Sequence, residues 1–157
     1  MEEDRTVTVE PIRKSLFVPL EPERAFDLFT QGIGRWWPLE THSRVGEVEG
    51  ATVERVEFPT EPGMPILERL STGDAFPWGD LLVSEPPHRV VIAWKPNANP
   101  HPPTEVEVAF AAEGDGTRVE LEHRAWEVLG DLAAEGRAGY DEGWDLVLGR
   151  YEAAAAA

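Results

Sequence analysis

The chain has no cysteine. Disulfides, thiolate metal sites and a Cys nucleophile are therefore excluded, and a reducing compartment is compatible. Long apolar runs are missing as well, since no stretch approaches the ~20 apolar residues that span a bilayer. The opening MEEDRTVTVEPIRKS lacks a basic segment followed by an apolar one, so no secretory signal is expected. Basic residues are scarce: 14 Lys plus Arg stand against 30 Asp plus Glu, for a formal charge of −16. A surface of that sign repels phosphate backbones and anionic bilayers, so neither nucleic acid nor membrane is an expected partner. The expectation is a soluble, acidic, cytoplasmic protein.

Several signatures of chemistry are also lacking. His42, His88 and His101 fall in expected loops or strand edges with no second ligand at metal spacing, so no metal site is expected. Ser15, Ser43, Ser71 and Ser84 have neither a nucleophile-elbow motif nor an adjacent base. Nothing matches a Gly-rich phosphate loop, and no nucleotide or other cofactor is expected.

What remains is a pattern of elements. A length of 157 residues suits one domain with a single core, or a core holding a cavity. Thr6 to Leu20, with Val7, Val9, Leu16 and Val18 among polar neighbours, reads as a first strand. Glu21 and Pro22 open a helix, because a residue without an N–H suits the first turn, and Ala25, Phe26, Leu28 and Phe29 give it an apolar face that stops at Gly32. A second helical turn through Ile33 to Trp37 ends at Pro38, and Leu39 to Gly50 reads as a loop. Six strand-like segments follow: Ala51–Phe58, Ile66–Thr72, Phe76–Ser84, Arg89–Lys95, Thr104–Ala112 and Thr117–His123. Gly or Pro stands at their joints, which predicts an antiparallel meander with an exposed loop at Pro96–Pro103 and a tight turn at Glu113–Gly116. From Asp131 to about Ala155 the chain reads as a long helix. Ala133, Gly136, Tyr140, Trp144, Val147 and Tyr151 form an inward stripe, and Asp131, Glu135, Asp141, Glu142, Asp145 and Glu152 lie outside it. Gly136, with its neighbours Gly139 and Gly143, needs a reason inside a helix: close packing, or room left open.

The order of these elements, together with AFDLFTQGIGRWWP (Ala25–Pro38), Trp78-Gly79, Pro86-Pro87 with Arg89, Trp94, Gly116-Thr117-Arg118-Val119, His123 with Trp126, and Gly143-Trp144, resembles the START-like (SRPBCC) superfamily. Within it, the chain looks like the homologues of the activator of the heat-shock-protein-90 ATPase. The family pattern often has Gly where Ala125 precedes Trp126. The resemblance implies an α+β helix-grip fold, birch-pollen-allergen-like, with a curved antiparallel sheet of about seven strands around a long C-terminal helix and two short helices after the first strand. It implies a single START-like domain over residues 1–157 and a gating role for the turn at Trp37 and Pro38. The eponymous activator carries a further N-terminal domain with no counterpart in these residues, so chaperone partnership ranks last among the functions implied.

Alternation along the strands indicates the inward groups. Val119 and Leu121 share a face with His123, and Ile66 and Leu70 bracket Glu68, so both His123 and Glu68 should point inward. An isolated buried carboxylate is costly, and a Glu68–His123 pair would relieve it, either as a structural hydrogen bond or as a tuned acid/base couple. The six Trp residues suit a core, and some suit a pocket wall whose N–H groups orient a ligand. The expected ligand-binding set is Trp37, Glu68, Trp78, Trp94, His123, Gly136, Tyr140 and Trp144, with Tyr140 a donor to a ligand carbonyl and Glu68 and His123 the catalytic candidates.

The first functional expectation is a binding protein, monomer or homodimer, for a small hydrophobic or aromatic molecule held between the sheet and the final helix. The alternatives are a polyketide cyclase or hydratase-like enzyme using Glu68 or His123, and a chaperone-associated interaction module.

Overall fold

The computed structural model describes residues 9–97 and 99–157. Its first strand, β1 (Ile12–Val18), begins just after Pro11, which has no N–H to give to a ladder. The expected strand start at Thr6 and Val7 lies outside the described residues. Helix α1 (Pro22–Phe29) places Pro22 in its first turn and buries Ala25, Phe26 and Phe29. It stops where the Thr30 hydroxyl donates to the Phe26 carbonyl at 2.8 Å, and a short helical turn, Ile33–Arg35, follows. The stretch expected as a loop contains one further helical turn, Val45–Glu47.

Six strands then run as a meander: β2 (Val53–Glu57), β3 (Pro65–Leu70), β4 (Ala75–Glu85), β5 (Arg89–Trp94), β6 (Thr104–Glu113) and β7 (Gly116–Arg124). With β1 they form a seven-stranded antiparallel sheet in the order β1-β7-β6-β5-β4-β3-β2. The six strands of the meander match the sequence-based spans to within two residues, whereas β1 is shorter than expected, with Val9–Pro11 lying outside it. Register shifts interrupt the β2–β3, β3–β4 and β4–β5 ladders. Bulges of this kind bend the bulged strand and raise the local twist, and they concentrate on the half of the sheet that borders the site. Gly79 is what allows β4 and β5 to meet there. Its φ is +148°, and a Cβ at this position would lie 1.9 Å from the Ala93 carbonyl oxygen, so only glycine fits after Trp78.

The long helix α2 (Ala133–Ala156) lies across the inner face of the sheet. It starts two residues later than expected, because Trp126–Leu132 forms a separate helical turn broken at Gly130, whose φ is +59°. Polar contacts fix α2 at several points. Arg137 donates to the carbonyls of Glu10 and Pro11, Lys14 of β1 pairs with Asp141 and Asp145, and the buried Tyr151 hydroxyl donates to Ala25 O at 2.8 Å. Aromatic edges fill the C-terminal half of the grip: Phe29 meets Tyr151 at 5.0 Å and Trp36 meets it at 5.1 Å between ring centroids. Burying each such ring contributes roughly 1.5–3 kcal/mol. The opposite half of α2 is not filled in this way. Among the described residues no helix is long and apolar enough to cross a membrane.

Candidate functional site

Between the N-terminal half of α2, strands β3 to β5 and the 41–44 segment lies a cavity of about 460 Å³. Its walls bring together four indoles, Trp37, Trp78, Trp94 and Trp144, with Val147, Tyr140, Glu68 and the helix glycines. Trp37 and Trp78 stand 4.7 Å apart between centroids, Trp94 and Trp144 stand 5.7 Å apart, and Trp37 touches Trp94 and Trp144 at 5.9 and 6.1 Å. Each ring is held in orientation by its neighbours. A volume within the roughly 300–1,000 Å³ of small-molecule sites, with an aromatic wall and few polar groups, has the make-up of a ligand pocket.

The three glycines of α2 that line the cavity have two different reasons. A Cβ on Gly136 would come within 2.7 Å of Leu129 Cδ1, so this glycine lets the preceding turn pack close. A Cβ on Gly139 would meet nothing within 4 Å, and one on Gly143 only His42 Nε2 at 3.9 Å. Those two leave the wall open.

Glu68 projects inward from β3 and has no exposed surface. Its partner is not His123. The Ser43 hydroxyl donates to its Oε2, and the Arg44 backbone N–H (3.3 Å) and the Trp78 indole N–H (3.0 Å) donate to its Oε1. Three donors offset the desolvation of the buried carboxylate and tie β3, β4 and the 41–44 segment into one unit. The same segment is closed from the other side by the Trp37 indole, which donates to His42 O at 2.9 Å. The Arg44 guanidinium pairs with Glu47 and lies 4.2 Å over the Phe76 ring.

His123 is also fully buried, but it stands behind the wall and not in it. The Trp144 indole can only donate, so the 3.0 Å contact to Nδ1 requires a lone pair there and puts the ring proton on Nε2. Nε2–H then faces the Thr104 hydroxyl at 2.7 Å, and Thr104 in turn donates to Trp94 O at 3.2 Å. Burial lowers the imidazole pKa to about 3. His123 is thus a neutral group, both of its nitrogens occupied, that orients two of the wall's indoles.

The wall's further polar residues are Thr41, His42, Glu135 and Tyr140, and the Trp94 N–H lies buried beside Tyr140. Burial pushes the Tyr140 phenol up, while the Trp94 side chain acts in the opposite direction on the same hydroxyl. The two nevertheless stop short of a hydrogen bond, and Trp94 Nε1 is a buried donor without an acceptor.

Of the residues expected to bind ligand, the structure gathers Trp37, Glu68, Trp78, Trp94, Gly136, Tyr140 and Trp144 around one cavity and leaves His123 outside it. Sequence reasoning missed the 41–44 segment. The imidazole in the wall is that of His42, whose Nδ1 meets the Thr41 hydroxyl at 2.7 Å. A signal existed: a carboxylate expected to be buried needs donors, and Thr41-His42-Ser43-Arg44 is a run of donor-bearing side chains just after the turn at Trp37.

Comparison with known proteins supplies the relatives. The model of the family described as Activator of Hsp90 ATPase homolog 1-like protein matches residues 19–155. Among solved structures, the chain is similar to the anthrahydroquino-gamma-pyrone synthase Txn09, at 27% identity and a TM-score of 0.59, with 92% of this chain and 96% of that one covered. It is similar in fold to an AHSA1-like protein from Aeromonas hydrophila (19% identity, TM-score 0.60, 90% and 89% covered). A protein from Mesorhizobium loti shares the same architecture (14% identity, TM-score 0.64, 91% and 94% covered). No curated protein matches the chain.

Proposed function

The chain belongs to the Activator of Hsp90 ATPase homolog 1-like family, and from that premise we propose that it is a single START-like domain that holds a small hydrophobic or aromatic molecule between the sheet and α2. The observation that carries this reading is the cavity of about 460 Å³ walled by Trp37, Trp78, Trp94 and Trp144. A flat aromatic molecule can stack against indoles already fixed by their neighbours, so little side-chain entropy is lost on binding. Gly139 and Gly143 leave the space such a molecule needs.

A second reading, a polyketide cyclase-like enzyme, is supported by a carboxylate in the same wall and by the 27% identity to a synthase over nearly the whole chain. In that reading the indoles fold a flexible substrate and an acid/base group in the wall moves a proton. The wall holds Glu68 and His42 for that task, and His42 takes the place that the sequence suggested for His123.

The test is native mass spectrometry of protein purified from its own host, set against the denatured mass. A consistent extra mass of a few hundred daltons, released on denaturation, is the expected result. Protein that is empty on repeated preparation, and that takes up no aromatic probe, would overturn the binding reading. Once a ligand is known, Glu68→Gln separates the two readings: a binder keeps most of its affinity, whereas an enzyme keeps binding and loses turnover.

A further inference from the structure

Five of the six indole N–H groups have an acceptor inside the protein. Trp36 donates to Leu28 O, Trp37 to His42 O, Trp78 to Glu68, Trp126 to His123 O and Trp144 to His123 Nδ1. Trp94 does not. The residue is 4% exposed, it lines the cavity, and its Nε1 is buried and unpaired. Beside it stands Tyr140, another wall residue, whose hydroxyl the Trp94 side chain approaches without reaching hydrogen-bond geometry. A buried indole N–H without an acceptor, next to a half-buried phenol that lines the cavity, is an exception to the rule that buried polar groups are paired. Such a pair is expected where a ligand supplies the missing acceptor.

We propose that Tyr140 and Trp94 form a donor pair for a ligand oxygen, Tyr140 giving its O–H to a carbonyl in the cavity while its own oxygen accepts the Trp94 N–H. The inference rests on the aromatic-ligand reading and narrows it: the ligand class is an aryl ketone or quinone, not a plain hydrocarbon. The Trp94 N–H is sealed from the cavity itself, so the acceptor within its reach is the Tyr140 oxygen. That oxygen becomes a better acceptor as its proton is drawn toward a ligand carbonyl, so the two bonds strengthen each other. The Trp94 ring is in turn oriented by its tilted contact with Trp144, 5.7 Å between centroids. Its backbone carbonyl is held by Thr104, and thereby by His123. Thr104 and His123, buried behind the wall, thus help to position Trp94. Tyr140 is the contact residue and Trp94 a positioning residue.

The probes are α-tetralone and tetralin, which differ by one carbonyl on the same bicyclic frame, titrated into wild type and Tyr140→Phe by calorimetry. Infrared difference spectroscopy follows the ketone stretch, and NMR follows the indole N–H resonances. Relative to tetralin, α-tetralone is expected to lose about tenfold in affinity in Tyr140→Phe, the usual scale for a buried carbonyl acceptor left unpaired, while tetralin binds both proteins equally. The bound ketone stretch should move to lower frequency in wild type and return in the variant. The Trp94 indole resonance should shift downfield with α-tetralone and not with tetralin, a response that a purely structural Trp94 would not give. A Tyr140→Phe protein that keeps both the ketone preference and the frequency shift would overturn the proposal. Equal behaviour of the two probes in wild type would overturn the donor pair and leave the aromatic-ligand reading standing. Failure of both probes to bind wild type at their solubility limits would remove both.

Discussion

The indole N–H of Trp144 donates to Nδ1 of His123 at 3.0 Å, so a histidine that looks catalytic in the sequence serves as an acceptor. The contact requires the neutral ring, and the Thr104 hydroxyl at 2.7 Å from Nε2 occupies the other nitrogen. Protonating His123 would turn two donors on each other at a fully buried position.

Stability should therefore depend on pH in a definite direction. The folded-state pKa of His123 is about 3, depressed from an ordinary value of 6.5 by burial. The neutral form is favoured only in the folded state, so this contribution is complete above pH 6.5 and is lost as pH falls toward 3. Between pH 6.5 and about 5 the unfolding free energy should fall by up to about 1.4 kcal/mol per pH unit, with one proton taken up on unfolding. Urea melts of wild type and His123→Phe across that window test this. The variant should be less stable by about 2–4 kcal/mol at pH 7 and should show a flatter slope, whereas identical slopes would refute the assignment.

Glu68→Gln replaces one acceptor oxygen with an amide that can only donate, in a place where Ser43, Arg44 and Trp78 all donate. The expected cost is about 1–3 kcal/mol by denaturant unfolding. Loss should be local first: hydrogen exchange at the Arg44 amide should quicken more than exchange in β6 and β7. Uniform quickening would mean that Glu68 does not hold the 41–44 segment.

Gly139→Leu should act in opposite directions on stability and on binding. The position is helical with open space in front of it, so the exchange should leave stability unchanged or raise it by up to about 1 kcal/mol. The same side chain would occupy the cavity, and affinity for α-tetralone should fall by about tenfold or more. Unchanged affinity in a well-folded variant would place the binding site elsewhere. Gly136→Leu is a poorer test, because its Cβ would meet Leu129 at 2.7 Å and disturb the helix start.

Ala125 occupies a left-handed conformation, φ 69° and ψ 34°, at the turn into Trp126. An L-residue there is strained by roughly 1–2 kcal/mol, partly offset by its lower freedom in the unfolded chain. Ala125→Gly should thus stabilise the protein by about 0.5–1 kcal/mol in thermal or urea melts. A destabilised variant would show that the methyl group contributes packing that outweighs the strain.

The fold was largely legible. Alternation placed Glu68 and His123 on inward faces, Pro and Gly marked the joints, and of the expected stripe on α2 Ala133, Trp144, Val147 and Tyr151 are buried while Gly136 and Tyr140 are half-buried. Those features are local, and a period of 2 or 3.6 residues survives in any sequence that must bury one face. The boundaries of α2 were less legible, because Gly130 breaks the turn before it through a φ value that composition does not reveal.

The sequence by itself determined which side chains turn inward, that the surface is acidic, and that cysteine chemistry is impossible. Which inward groups meet was decided only by tertiary structure. The bulges in β2 to β4 and the 41–44 segment put Glu68 against Ser43, Arg44 and Trp78, while β6 and α2 put His123 against Thr104 and Trp144. Partners of a buried polar group are chosen by three-dimensional proximity between segments 21 to 25 residues apart for Trp144–His123 and Ser43–Glu68, and periodicity along one element carries no information about that distance.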